Sequence, residues 1–200
     1  KYNSTNLNRE KADEIQNQIS KMGLLVIDVL KKDTKRSSYP PFTTSTLQQE
    51  AFRRLGYSAK QTMMLAQQLY EGVELGEGSA SGLITYMRTD SLNVAEEALS
   101  KAKEFLTENF GEKYSLPSPR RFKTKSKGAQ EAHEAIRPTE ASRTPESVKD
   151  FLDRRQFKLY ELIWRRFISS QMPQAIFNAK TVDISAGEFI FRATGQTMTA

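Results

Sequence analysis

The sequence predicts an α+β chain in which a mainly helical domain is inserted into a β-rich domain contributed by both chain ends. Three observations carry this. Capping signals and 3.6-residue apolar periodicity crowd the middle of the chain, from Phe42 onward. Runs with apolar and β-branched residues occupy the two ends. The character changes near the prolines at 40–41 and 173. The boundaries read as 1–40 and 173–200 for the β-rich domain, and 41–172 for the helical one.

Asn8 precedes an amphipathic helix with Ala12, Ile15, Ile19 and Met22 on one side, ended by Gly23. Leu24 to Lys32 reads as a strand, and the polar, proline-terminated stretch Asp33–Pro41 as a linker. Ser45-Thr46-Leu47-Gln48 has the form of a capping box, opening a helix that ends at Gly56. Ser58-Ala59-Lys60-Gln61 has the same form and opens a helix to Gly72. A Gly/Ser/Glu loop leads into Gly82-Leu83-Ile84-Thr85-Tyr86-Met87-Arg88-Thr89-Asp90-Ser91, which reads as a strand breaking into a polar turn. Asn93-Val94-Ala95-Glu96 resembles a third box, and its helix turns Val94, Ala98, Ala102, Phe105 and Leu106 inward before Gly111. Residues 112–128 form a Pro- and Lys-rich loop. Thr144-Pro145 begins a helix, and Asp153–Gln171 is a strong amphipathic one stopped by Pro173. Ala175–Ser185 and Phe189–Ala193 flank a hairpin turn at Ala186-Gly187-Glu188.

With 200 residues the chain is long enough for a sizeable core without disulfide staples. Cysteine is absent, which removes disulfide and thiolate chemistry, and a single histidine argues against a zinc site. No apolar run is long enough for a membrane-spanning helix, and no signal peptide is visible. The chain begins without an initiator methionine and stops just after a glycine-containing turn, so it reads as a piece of something larger. A net charge of +6 is a moderate bias toward anionic partners such as nucleic acid.

Three constellations could carry chemistry. In an extended chain Tyr86 and Arg88 point to the same face. A phenol beside a guanidinium is what attack on a phosphodiester needs: a nucleophile, and a cation for the phosphate oxygens. The bland reading is a buried tyrosine and an exposed arginine. Asp90 reads as a turn residue, or as an orienting partner for Arg88. The second constellation, Ala129–Pro138, holds the lone His133 and, four positions on, Arg137. One helical turn would put them on one face, although Pro138 pushes Arg137 toward an extended backbone. His133 is a structural hydrogen-bonder or a donor to a phosphate oxygen. The third is the basic loop Arg120, Arg121, Phe122, Lys123, Lys125 and Lys127, either a solvated loop or a salt-sensitive contact to a nucleic-acid backbone. Glu131 and Glu134 read as solvated helix charges. No carboxylate cluster has metal spacing, so no metal ligand is assigned.

Pro41–Gln48, Ile84–Ser91 and Glu131–Pro138, in that order, resemble motifs of bacterial type IA DNA topoisomerases. Met87 is similar to the topoisomerase I branch, since the topoisomerase III branch usually has proline there. The resemblance covers nearly the whole chain. It implies that Tyr86 is the nucleophile, linking covalently to a DNA 5′-phosphate, and that Arg88 assists at the scissile phosphate. It places His133 near the active-site DNA and Arg137 near its phosphates. The helical domain would lift to open a strand gate, hinged by an arch to which the β-rich ends belong. The implied partners are single-stranded DNA and the remaining domains of the same polypeptide, in the cytoplasm with the nucleoid. The implied cofactor is Mg²⁺, with its ligands outside these residues, so the piece alone is expected not to relax supercoils. The competing readings are a single-stranded DNA-binding module without chemistry, and a tyrosine-recombinase-like enzyme. The latter is disfavoured because Tyr86 precedes His133 and Arg137.

Overall fold

The computed structural model describes residues 8–76, 78, 80–123 and 133–199. The chain divides into two compact units: the described residues up to Ser37 together with those from Gln174 onward, and Ser38–Pro173.

In the first unit, helix α1 (Arg9–Ile19) starts at Asn8, whose side chain accepts from the Lys11 amide at 3.0 Å. Three strands follow: β1 (Leu25–Arg36), β4 (Ala175–Ala186) and β5 (Phe189–Met198), in the order β1-β4-β5. Both pairings are antiparallel, with Leu25 opposite Ser185, Arg36 opposite Ala175 and a bulge between Val26 and Asp28. Gly187, at φ 61°, turns the β4–β5 hairpin. The strands run further than the sequence indicates. Asp33–Arg36, expected as linker, continue β1. Their polar side chains are tolerated because that strand is largely solvent-facing, and they find partners across the sheet: Asn178 donates to Asp33 at 3.0 Å, and Arg36 to Gln196 at 2.8 Å.

The second unit holds α2 (Thr44–Leu55), α3 (Ala59–Glu71), α4 (Glu96–Phe110), α5 (Pro145–Val148) and α6 (Arg154–Ser170), with a two-residue pairing of β2 (Val73–Glu74) and β3 (Ala80–Ser81). Helix α6 organises the core. Leu159, Tyr160 and Ile163 pack with Phe42, Leu47, Leu65, Leu69, Leu83, Ile84, Met87 and Ile136. Phe167 and Ile168 pack with Ala102, Phe105, Leu106 and Ala141. Trp164 lies against both groups and donates from Nε1 to the Ala141 carbonyl at 2.9 Å. Each buried aliphatic or aromatic side chain contributes about 1.5–3 kcal/mol.

The capping boxes move. The box at the start of α2 is Thr43 with Thr46, not Ser45 with Gln48, because the helix begins two residues earlier. Gly56 closes that helix in the left-handed region, at φ 72°. Ser58 caps α3 by accepting from the Gln61 amide. Asn93 caps nothing: α4 starts after Ala95, and the Glu134 carboxylate accepts from the Ala95 amide in place of a local cap. Asp153 and Gln156 form the box of α6.

Tyr160 is fully buried, and its hydroxyl donates to the Arg143 carbonyl at 2.6 Å. Burial pushes its phenol above the usual tyrosine range, with Arg143 opposing. A raised folded-state value means a contribution to stability that is complete below pH ~10, the unfolded value, and is lost above it. Tyr160→Phe is expected to lower stability by about 1 kcal/mol at pH 8 through the lost hydrogen bond. In urea titrations that gap should close by pH ~11, where ionisation of the unfolded chain costs the wild type ~1.4 kcal/mol. A gap of equal size at both pH values would show that Tyr160 ionisation is not linked to folding.

Candidate active site

Residues 82–91 do not form the expected strand. They make an irregular segment with one bridge, Ile84 opposite Pro138. Strand hydrogen bonds are replaced by stitches to two other segments. The Leu83 amide donates to the Leu69 carbonyl of α3 at 2.8 Å, and the Thr139 amide donates to the Leu83 carbonyl at 3.0 Å. Gly82 crosses α3 so closely that a Cβ there would lie 2.8 Å from the Tyr70 carbonyl oxygen. Two threonines perform the same task on either side of Tyr86. The Thr85 hydroxyl donates to the Ala135 carbonyl at 2.7 Å and accepts from the Arg137 amide at 3.0 Å. The Thr44 hydroxyl donates to the Met87 carbonyl at 2.8 Å and accepts from the Thr89 amide at 2.8 Å. The Ile136 amide donates to the Phe42 carbonyl at 2.8 Å, closing the ring of segments.

The period-two alternation survives without the strand. Met87, Thr89 and Ser91 are buried, whereas Tyr86, Arg88 and Asp90 are exposed. Tyr86 is 45% exposed, and its ring meets that of Tyr70 edge-to-face with centroids 5.4 Å apart. Among the described residues neither Arg88 nor Asp90 makes an ion pair, so the expected orienting contact between them is not formed. His133 is exposed.

The segment around His133 corrects the helical expectation. Residues 133–138 are not helical, and Ile136 and Pro138 each form a bridge to a neighbouring segment. Arg137 is buried, contrary to an open phosphate contact. Its Nη2 donates to Glu134 at 2.6 Å and its Nη1 to the Pro138 carbonyl at 2.9 Å, while Nε has no partner among the described residues. Glu134 is not a solvated charge: one carboxylate binds both Arg137 and the first turn of α4.

The basic loop is divided. Arg120 is tied to the end of α6, where its Nη1 donates to the Ser170 carbonyl at 3.1 Å and its backbone exchanges two hydrogen bonds with the Gln171 side chain. A cation at a helix C-terminus is favourable there. Arg121 is exposed but paired with Glu96, and that contact holds the Glu96 carboxyl below the usual carboxylate range. Lys123 is exposed, and Lys125 and Lys127 lie outside the described residues. Sequence reasoning missed the work of Thr44, Thr85, Tyr70 and Glu134. The paired threonine hydroxyls flanking buried apolar positions were the available signal.

Among the described residues no three His, Asp or Glu side chains gather where a metal ion could sit. Among them, too, no helix is long and apolar enough to cross a membrane.

A family model described as DNA topoisomerase matches residues 1–200. The chain is 50% identical over 182 residues to DNA topoisomerase 1 of Xylella fastidiosa strain 9a5c, which covers 90% of this chain and 22% of that protein. Against the protein of the same name from strain Temecula1 the identity is 51% over 176 residues, covering 88% and 22%. The structure of full-length topoisomerase I from Thermotoga maritima in a monoclinic crystal form aligns with a TM-score of 0.81 at 39% identity, covering 100% of this chain and 32% of that one. The chain thus spans 22% of the length of these curated relatives.

Thr44→Val keeps the volume but strips a donor and an acceptor from the stitch beside Tyr86. It is expected to cost about 1–3 kcal/mol in urea unfolding, with faster hydrogen exchange at the Thr89 amide. Unchanged exchange at that amide would mean the hydroxyl does not hold the segment.

Proposed function

We propose, because this chain belongs to the bacterial DNA topoisomerase family, that it carries the nucleophile of a type IA enzyme that cuts and reseals one DNA strand. The observation that carries the reading is the position of Tyr86: exposed, on a segment whose neighbouring side chains Ile84 and Met87 are sunk in the core. A nucleophile presented from a pinned backbone needs little ordering to reach an in-line geometry.

In the proposed step the Tyr86 phenol oxygen attacks the phosphorus of a phosphodiester. A bond forms between that oxygen and phosphorus, and the bond from phosphorus to the 3′ oxygen breaks. The phenol gives up its proton, and the leaving 3′ oxygen takes one up as a hydroxyl. The product is a 5′-phosphotyrosyl link of similar energy to the bond broken, so resealing by the reverse step needs no ATP. Arg88, exposed and without an ion pair among the described residues, is assigned to hold the non-bridging oxygens. Its guanidinium would stabilise the charge that builds on them. His133, also exposed, is assigned a hydrogen bond to the same strand. Arg137 is reassigned: locked between Glu134 and two backbone carbonyls, it shapes the segment that holds Thr85 rather than meeting phosphate in the open. Asp90 keeps the simpler role of a turn residue.

The proposed substrate is a single strand of negatively supercoiled DNA, and the proposed partners are that strand and the further domains of the polypeptide. The same reading puts the protein in the cytoplasm with the nucleoid. Mg²⁺ belongs to this reading only through ligands elsewhere, and no step above is routed through it.

The test uses Tyr86→Phe in the full-length polypeptide. It should abolish the covalent protein–DNA adduct while leaving single-strand binding within about twofold, since truncating one hydroxyl removes the nucleophile but little contact surface. Cleavage that survives in Tyr86→Phe sinks the nucleophile assignment and favours the binding-module reading. The 200 residues alone, with Mg²⁺ supplied, should show no relaxation of supercoiled plasmid.

A further inference from the structure

A second group of cations lies on the helical unit around Glu50. This carboxylate is buried in α2 and faces three guanidinium groups: Arg54 at 2.5 Å, Arg53 at 3.5 Å and Arg166 of α6 at 3.6 Å. One negative charge against three positive charges leaves a local surplus of two. Arg53 and Arg54 complement the dipole at the end of α2, which accounts for cations in that turn. It does not account for Arg166, which comes from another helix.

Arg166 is the informative member. Its guanidinium lies over the Tyr39 ring at 4.9 Å and the Phe42 ring at 4.3 Å, and its side chain is only 15% exposed. Burial is the main cause that pulls its pKa below the usual arginine range, with Glu50 opposing. Cations held together with incomplete compensation are stabilised by a further anion. The outer two, Arg53 and Arg54, are 71% and 65% exposed, so an anion can reach them. Tyr39 is 74% exposed although Arg166 packs against its ring, which leaves much of that aromatic surface open to solvent. Exposed guanidinium groups beside an open aromatic ring are the two components of a single-strand nucleic-acid subsite: phosphate contact and base stacking.

The connection to the tyrosine segment is short. Phe42, under Arg166, gives its carbonyl to Ile136, and two residues later Thr44 binds Met87 and Thr89. We infer that Tyr39, Arg53, Arg54 and Arg166 form a phosphate-and-base subsite for a single DNA strand, separate from the residues that would meet the scissile phosphate. This rests on the proposed function for its ligand, and its test does not depend on cleavage.

The experiment is fluorescence-anisotropy titration of the 200-residue chain with labelled oligothymidine between 50 and 200 mM salt. Each lost single-strand phosphate contact reduces the slope of log K against log salt by about 0.7. Arg53→Gln with Arg54→Gln should therefore flatten that slope by about 1.4. Lys60→Gln with Lys149→Gln removes the same charge from exposed positions elsewhere on this unit and should change the slope far less. Tyr39→Ala should weaken binding about tenfold through lost stacking, and Tyr39→Phe should restore it. Circular dichroism of each variant checks the fold. The subsite is ruled out if the arginine pair changes the slope no more than the lysine pair, if Tyr39→Phe binds as poorly as Tyr39→Ala, or if the wild-type chain does not bind the oligonucleotide. Tyr86→Phe should bind like the wild type, so loss of the nucleophile and loss of the subsite read out separately.

Discussion

The site depends on one arrangement: a side chain left outside while its neighbours are pulled in. Ile84 and Met87 are each 1% exposed, and Tyr86 lies between them. Two threonine hydroxyls pin the backbone around it. Thr85 and Thr44 each accept an amide hydrogen and donate to the carbonyl two residues earlier, on facing chains. A strand ladder would have given similar rigidity but would have flattened the segment. The stitched form holds an irregular backbone, with Tyr86 turned to solvent against Tyr70.

This arrangement draws on distant parts of the chain. The segment after Pro41, the segment around Tyr86 and the segment around Arg137 meet through backbone hydrogen bonds. Helix α6 closes the core beneath them. Glu134 shows the economy of the layout, since one carboxylate both replaces the missing cap of α4 and neutralises a buried arginine. A buried charge tolerates that position only when its partner and hydrogen bonds are in place. The cost of removing Glu134 would fall on Arg137, whose Nε already lacks a partner among the described residues.

The sequence carried the local features well. The end of α2 at Gly56, the course of α3, and α6 from Asp153 to Gln171 all follow from side-chain oxygens, glycine and apolar spacing within a few residues. What was not legible depends on partners far along the chain. The Tyr86 segment alternates like a strand, yet its backbone groups are taken by residues some fifty positions away. The stretch before Pro138 suggested a helical turn because His133 and Arg137 are four positions apart, but bridges to Phe42 and Ile84 hold it extended. Arg120 looked solvated because Ser170 and Gln171 lie some fifty positions away, and the link from Glu134 to the Ala95 amide is likewise distant in sequence. The alternation of exposed Tyr86 and Arg88 was legible because it follows from backbone geometry alone.

The proposed function stands on Tyr86 forming the covalent link to DNA. The most direct measurement is to trap the protein–DNA adduct of the full-length polypeptide on a labelled single strand, digest both components, and locate the modified residue by mass spectrometry. The expected result is one nucleotide-bearing peptide, modified at Tyr86, with the label on the 5′-phosphate side of the break. A modification at Tyr70 or any other residue, or a link to the 3′ end, would contradict it.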